Sequence, residues 1–314
     1  VRDPLHSMVA MTTLAPATTL APSCRPSAAV VAVQVARPWF WPIGIAPAWF
    51  GSVVATGSWL PPGVGLWRLA AAALVMGPLV WVSLCTVNDL HDVASDRTNP
   101  RKVSSPLVSG AATAAGLART HLISSGAALG VAALVGPVFA LGTALVLALG
   151  WAYSAPPLRL KGRPGLDVAA NALALGLLAP LAGWSLSRPL VEYPPLLAVL
   201  GVTLAAALYA PTTAVDHTSD AAAGDLTLAV RWGPGVVHWL GVGLFAVATG
   251  AWMIGLAAGS FGVAVLSPVQ WLTAPLPLLT HAVLTRRPSI ARLALVCGLF
   301  CVPAGEYLTQ TLAR

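Results

Sequence analysis

The feature that most constrains this chain is a series of Ala-, Leu-, Val- and Gly-rich runs, each close to twenty residues long and nearly free of charge. A helix needs about 20 apolar residues to cross a hydrocarbon layer, so each run is long enough to span a bilayer. Only 9% of the residues are charged and 57% are apolar. A soluble domain carries about a quarter charged residues, so a chain this poor in charge cannot cover a water-facing surface. A membrane β-barrel needs apolar and polar residues in alternation, and these runs do not alternate. The composition therefore predicts an all-α integral membrane protein.

Nine spans are expected, at 37–56, 64–87, 117–134, 137–153, 166–185, 195–214, 235–257, 264–284 and 291–311. Gly136-Pro137 makes a tight turn between the third and fourth, and Pro303 and Glu306 interrupt the last. Residues 1–35, rich in Ala, Pro, Thr and Ser, read as a mobile N-terminal tail, and 36–314 as one transmembrane domain. The tail's apolar stretch is broken by Pro16, Pro22 and Pro26, so a cleaved signal peptide is not expected. The four cysteines lie mostly in apolar runs and read as small buried hydrophobes, including Cys297 and Cys301 one helical turn apart.

The net charge of +7 reports topology and not nucleic-acid binding. With nine spans, fourteen of the 17 basic residues fall on the side of the N-terminus and of the loops after even-numbered spans, leaving Arg68, Arg188 and Arg314 opposite. That bias places the N-terminus and those loops in the cytoplasm. Six of the ten acids also lie there, in two short windows at 89–96 and 216–225.

In the first window Asp89, Asp92 and Asp96 are spaced three and four apart, which stacks them along one helical stripe with Asn88 at its edge. In the second, Asp216 and Asp220 are four apart and continue the sixth span, followed by Gly224 and Asp225. Acids at helix C-termini are disfavoured by the helix dipole, so clustering them there calls for a counter-cation. Oxygen donors without His or Cys at ligand spacing suit Mg²⁺, which prefers a few carboxylates plus substrate phosphates. Between the windows, Tyr153-Ser154-Ala155-Pro156-Pro157-Leu158-Arg159-Leu160-Lys161 ends a span and offers cations to phosphate oxygens. A diphosphate head held by magnesium, above a bundle that accepts a long hydrocarbon, describes a polyprenyl diphosphate.

These residues resemble the UbiA-type intramembrane prenyltransferase superfamily. Its signature N-D-x-x-D-x-x-x-D is met by Asn88, Asp89, Asp92 and Asp96, and its D-x-x-x-D with a following Gly and Thr-Leu by Asp216, Asp220, Gly224, Thr227 and Leu228. The Y-S-x-P-P-L-R-x-K segment and Arg37-Pro38 are also similar to that family, and the likeness spans about 36–312. It implies a cytoplasmic cap over a central cavity and two Mg²⁺ ions bridging a prenyl diphosphate. The implied ligands are Asp89, Asp92, Asp216 and Asp220, with Asn88 and Asp96 as ligands or as partners of ligands. Diphosphate contacts fall to Arg97, Lys102, Arg159 and Lys161, and Tyr153 and Asn171 point toward the polar cavity by the same analogy. The implied reaction is transfer of the prenyl group to a lipophilic, aromatic acceptor within the membrane.

Two departures stand out. Many members carry Arg where this chain has Ser105 before Pro106, and a cation between Gly and Thr where it has Asp225-Leu226. Two expected phosphate cations are thus missing, which fits an unusual acceptor or cyclisation of the prenyl chain without transfer. Asp225 reads as a loop acid or an extra ligand. Arg159, Lys161 and Arg163 are equally explained by membrane topology, and His91 and His217 lie off the Asp stripes. Trp39, Trp41 and Trp81 are candidates for the substrate pocket, the other tryptophans for interface anchors. A cation-coupled transporter is the rival class, but transporter acids gather at the membrane midplane and these sit at helix ends.

Overall fold

In the computed structural model the described residues are 27–97, 99, 102–261 and 267–312, and among them there is no strand. Most of the tail predicted for 1–35 lies outside the described residues. Its end is helical: AAVVAVQVA forms α1 (Ala28–Ala36), begun by Ser27, whose hydroxyl accepts the Val30 N–H. An N-cap in front of a Val- and Ala-rich run suffices to start the helix earlier than expected. Arg37, with φ of 45°, and a 3₁₀ turn at Pro38–Phe40 redirect the chain into α2 (Trp41–Thr56).

Two later spans are each interrupted within their length by a π-turn. The first joins α3 (Leu66–Leu74) to α4 (Val80–Asp96) through Val75–Leu79, which contains Pro78. A proline within a helix removes one backbone donor and clashes with the preceding turn, and a wider turn relieves the clash. After α5 (Ala114–Val135) and α6 (Pro137–Ser154), which meet at Gly136, the same device recurs. There α7 (Leu166–Leu173) passes through Ala174–Leu178 into α8 (Ala179–Trp184), with Pro180 just beyond the turn.

The second half comprises α9 (Pro195–Val215), the short α10 (His217–Ala223) and α11 (Leu228–Trp232), and α12 (Pro234–Ala257). It ends with α13 (Pro268–Thr273), α14 (Leu276–Leu284) and α15 (Ile290–Leu312). Eight helices among the described residues are long and apolar enough to cross a bilayer. The eighth expected span, 264–284, takes the form of α13 and α14 with a break at Ala274-Pro275, and its first residues lie outside the described ones. The last span is continuous through Pro303. Glu306 is accommodated because its carboxylate accepts the Ser267 and Thr273 hydroxyls at 2.5 and 3.3 Å.

Small residues set the helix spacing. A side chain at Gly183 would collide with the Ala48 carbonyl, and Gly176 and Gly201 face each other so closely that a Cβ on either would strike the other's carbonyl. Membrane helices associate by such close backbone packing, since lipid supplies no hydrophobic drive between them. Gly176 lies in the second π-turn and Gly201 on α9, so the contact ties the two halves of the bundle together.

Candidate active site

The two acidic windows meet around one polar cavity of about 170 Å³ at the loop end of the bundle. Asn88, Asp92 and Asp96 reach it from the end of α4, Asp216 from the cap of α9, Asp220 from α10, and Asp225 and Thr227 from the loop before α11. Lys102 and Lys161 complete the wall. Every carboxylate expected at the site reaches this cavity except one.

The exception is Asp89, expected as a metal ligand. It does not line the polar cavity, and its two oxygens lie 2.7 and 2.8 Å from Arg37 Nη2. The face turned to the cavity carries Asn88, Asp92 and Asp96, spaced four and four apart. Asp89 is about 100° round the helix from Asn88, so the stripe that faces the cavity keeps Asp92 and Asp96 and has Asn88 in place of Asp89.

The α4 carboxylates that face the cavity are paired with cations. Lys161 Nζ bonds Asp92 and also lies 3.2 Å from Asn88 Oδ1, which accepts the Ser154 hydroxyl as well. Lys102 pairs with Asp96 at 2.9 Å. Arg159, held at φ of 37°, grips Asp225 at 3.1 and 3.2 Å and reaches Asp92 at 3.5 Å. Asp225 is therefore a cavity acid restrained by Arg159. Arg97, expected to contact phosphate, is exposed and does not line the cavity. His91 and His217 do not line it either.

Burial shapes the protonation of two groups outside the membrane spans. It pulls the Lys161 ammonium below the usual lysine range, opposed by Asp92 beside it. It also pushes the Asp220 carboxyl up to about 6, with the Thr227 hydroxyl acting the other way and the Asp225 charge adding to the rise.

Directly below lies an apolar cavity of about 240 Å³, with Phe40, Trp81, Leu84, Val146, Leu149 and Leu175 in its wall. The two chambers share Asn88, Tyr153 and Tyr209, and the two tyrosine hydroxyls bond each other at the junction. Asn171 belongs to the apolar chamber and not to the polar one, with its Nδ2 donating to the Asp167 carbonyl at 3.0 Å. Of the three candidate tryptophans only Trp81 lines the apolar chamber, stacked on Phe40 at 5.4 Å. Trp41 donates to the Ala36 carbonyl and Trp39 is exposed.

Three site residues were not anticipated in these roles. Arg37 stands opposite Asp89, and a cation at the start of a span, where a bare charge is costly, signals a carboxylate partner. Tyr209 precedes Asp216 by seven residues on the same helix face, a spacing that could have revealed it. Asp167 accepts the Val168 N–H of its own helix at 2.9 Å, and it also accepts the Leu228 N–H at 2.8 Å. No feature of the local sequence announces that second bond.

The fold and its stacked chambers define a multi-pass helical membrane protein with a charged cavity at one end and an apolar one beneath it. The model of the UbiA prenyltransferase family matches residues 44–302, and the chain belongs to that family. Among solved structures, a UbiA homologue from Archaeoglobus fulgidus bound to DMAPP and Mg²⁺ is similar at 22% identity and a TM-score of 0.71, covering 89% of this chain and 96% of that one. An apo UbiA homologue from Aeropyrum pernix K1 is similar at 19% identity and a TM-score of 0.67, covering 85% and 95%. A digeranylgeranylglyceryl phosphate synthase is similar at 12% identity and a TM-score of 0.64, covering 90% and 96%. A search among curated proteins finds no sequence match.

Proposed function

We propose that this protein is a Mg²⁺-dependent prenyltransferase that moves a prenyl group from a polyprenyl diphosphate to a lipophilic, aromatic acceptor inside the membrane. One observation carries the reading: a chamber of carboxylates and cations opens onto an apolar chamber through Asn88, Tyr153 and Tyr209. A diphosphate belongs in the first and its hydrocarbon tail in the second. The Archaeoglobus fulgidus homologue, also solved with GPP and Mg²⁺, supports the substrate class.

The donor set suits magnesium. Among the described residues no three His, Cys, Asp or Glu side chains gather into a cage of their own. Mg²⁺ does not need one, because it uses one or two carboxylates together with substrate phosphates and water. Asp92, Asp96, Asp216 and Asp220, with Asn88, would hold two ions from opposite walls. Bound magnesium supplies a Lewis acid for the charge on the leaving diphosphate.

The chain's own residues do the rest. Lys161, Lys102 and Arg159 are now spent on carboxylates, and they turn to phosphate oxygens when the substrate arrives. The allylic C–O bond breaks with its electron pair leaving on the diphosphate. The acceptor carbon then bonds to the allylic carbon, and its proton passes to the diphosphate or a cavity carboxylate. Tyr153, Tyr209, Trp81 and Phe40 surround the cationic carbon with aromatic faces, which favour a cation, and keep water away from it. The positive-inside distribution of Arg and Lys supports a charged chamber on the cytoplasmic face.

A second reading, cyclisation of the prenyl chain, draws on that same aromatic wall. Membranes containing the protein are incubated with Mg²⁺ and a prenyl diphosphate, with and without aromatic acceptors. Acceptor-dependent diphosphate release and a prenylated acceptor are expected. A cyclic hydrocarbon or alcohol formed without acceptor would replace transfer by cyclisation, and absence of any magnesium-dependent release would sink both.

A further inference from the structure

A third cavity continues the stack. It lies below the apolar chamber, measures about 220 Å³, and is lined by residues such as Ile45, Ala48, Leu69, Ala72, Ala73 and Phe139. The proposed reaction as described above makes no use of it. Along the α3–α4 span the order is continuous: Asn88 to Val80 line the upper chamber, Ala73 to Leu69 the lower, and Met76 lines both. The facing span repeats the order, with Ala170 to Ala179 above and Gly183 below.

Resting on the proposed function, we infer that the Met76 side chain is the floor of the prenyl-tail channel and sets the longest tail the protein accepts. Met76 is the residue common to the two apolar cavities and is 4% exposed. Opposite it, Gly44 lets α2 come so close that a Cβ would meet the Met76 carbonyl, so backbone closes that flank. The floor lies at the π-turn, where the helix path departs from regular geometry. A helix rise of 1.5 Å per residue puts Met76 about 18 Å below Asn88, and Leu69 about 10 Å lower still. A tail that passes Met76 therefore gains roughly half as much channel again. Methionine is unbranched and adaptable, so its truncation opens the way without moving a helix.

The test measures Mg²⁺-dependent binding of non-ionising prenyl thiodiphosphates of increasing length to the full-length protein in lipid nanodiscs. For the wild type, affinity falls about tenfold at the length that crosses Met76. Met76→Ala removes that step, Ala73→Phe added to it restores the step by refilling the lower cavity, and Ala73→Phe alone changes nothing. Met76→Val, a milder truncation, carries the same expectation where Met76→Ala does not fold. A flat length profile in the wild type, or an unchanged step in a folded Met76 variant, overturns the floor and leaves the proposed reaction standing. Failure of every analogue to bind the wild type with Mg²⁺ overturns the proposed function and the floor with it.

Discussion

Arg37 Nη2 lies 2.7 and 2.8 Å from the two oxygens of Asp89, an ion pair between a half-buried guanidinium and a buried carboxylate that pins the α1–α2 junction to α4. Removing one member of such a pair leaves a charge without its counter-ion, which costs up to about 3–5 kcal/mol. Arg37→Met and Asp89→Asn are therefore each expected to lower stability markedly. The double variant should lose less than the sum of the two, because it leaves no lone charge. Unfolding in mild detergent, run as a double-mutant cycle, measures this. Additive losses would show that the pair does not couple the two helices.

Asp92 and Asp220 should behave differently from Asp89, because they face the polar cavity from opposite walls. Asp92→Asn and Asp220→Asn are expected to reduce Mg²⁺-dependent diphosphate release by about a hundredfold or more, the scale on which loss of one preorganised electrostatic group is felt. Asp220→Asn should keep a thermal stability close to that of the wild type, whereas Asp92→Asn also strips Lys161 of its carboxylate partner and should lose stability as well. Asp89→Asn should show the reverse pattern, with stability lost and the magnesium concentration for half-maximal rate unchanged. Equal magnesium dependence in all three variants would return Asp89 to the ligand set.

The Asp220 carboxyl, raised to about 6 from 3.8, gives the metal-free protein a defined pH response. Burial makes the folded protein bind this proton more tightly than the unfolded chain does. The contribution is complete below about 3.8 and is lost as pH rises through about 6. Stability in EDTA should therefore decline between those limits, by an amount reduced because the group is partly solvated. Mg²⁺ at the same carboxylate competes with the proton, so adding it should flatten the decline. Asp220→Asn should remove the part of the decline that runs up to about pH 6. A decline near pH 6 left unchanged in Asp220→Asn would assign that titration to another group.

How much of this was legible in the sequence depends on the range of the interactions. The helical spans follow from runs of apolar residues, a local property, so eight of them stand within a few residues of where composition put them, apart from an earlier start to the first and a later end to the second. The start of α1 was missed because a Ser27 cap and a short apolar run outweigh a Pro-rich neighbourhood. The meeting of the two acid windows was legible from span parity, which puts the ends of α4 and α9 on one face. The rotation of the first window was not, because helical spacing admits both the stripe with Asn88 and the stripe with Asp89. Arg37, 52 residues away, decides between them by holding Asp89. Likewise Asp225 could be assigned only once Arg159 was seen to grip it.

Asp167 carries the last expectation, as a positioning residue for the second acidic window. Its carboxylate is 1% exposed and accepts two backbone N–H groups, that of Val168 in its own helix and that of Leu228 at the start of α11. Leu228 directly follows Thr227 and lies three residues beyond Asp225, so this bond anchors the loop that carries the cavity's far wall. Asp167→Ala would leave a buried backbone donor unsatisfied at each end, at about 1–3 kcal/mol per group. Asp167→Asn keeps one carbonyl oxygen and should lose roughly one bond's share. The Asp220–Thr227 loop should then open more often, which hydrogen exchange reads directly as faster exchange at Leu228 and its neighbours. The affinity for prenyl diphosphate with Mg²⁺ should fall in the order wild type, Asp167→Asn, Asp167→Ala, while binding of an uncharged prenyl alcohol in the apolar chamber stays constant. An equal fall for the alcohol would mean that Asp167 supports the bundle as a whole and not the charged wall.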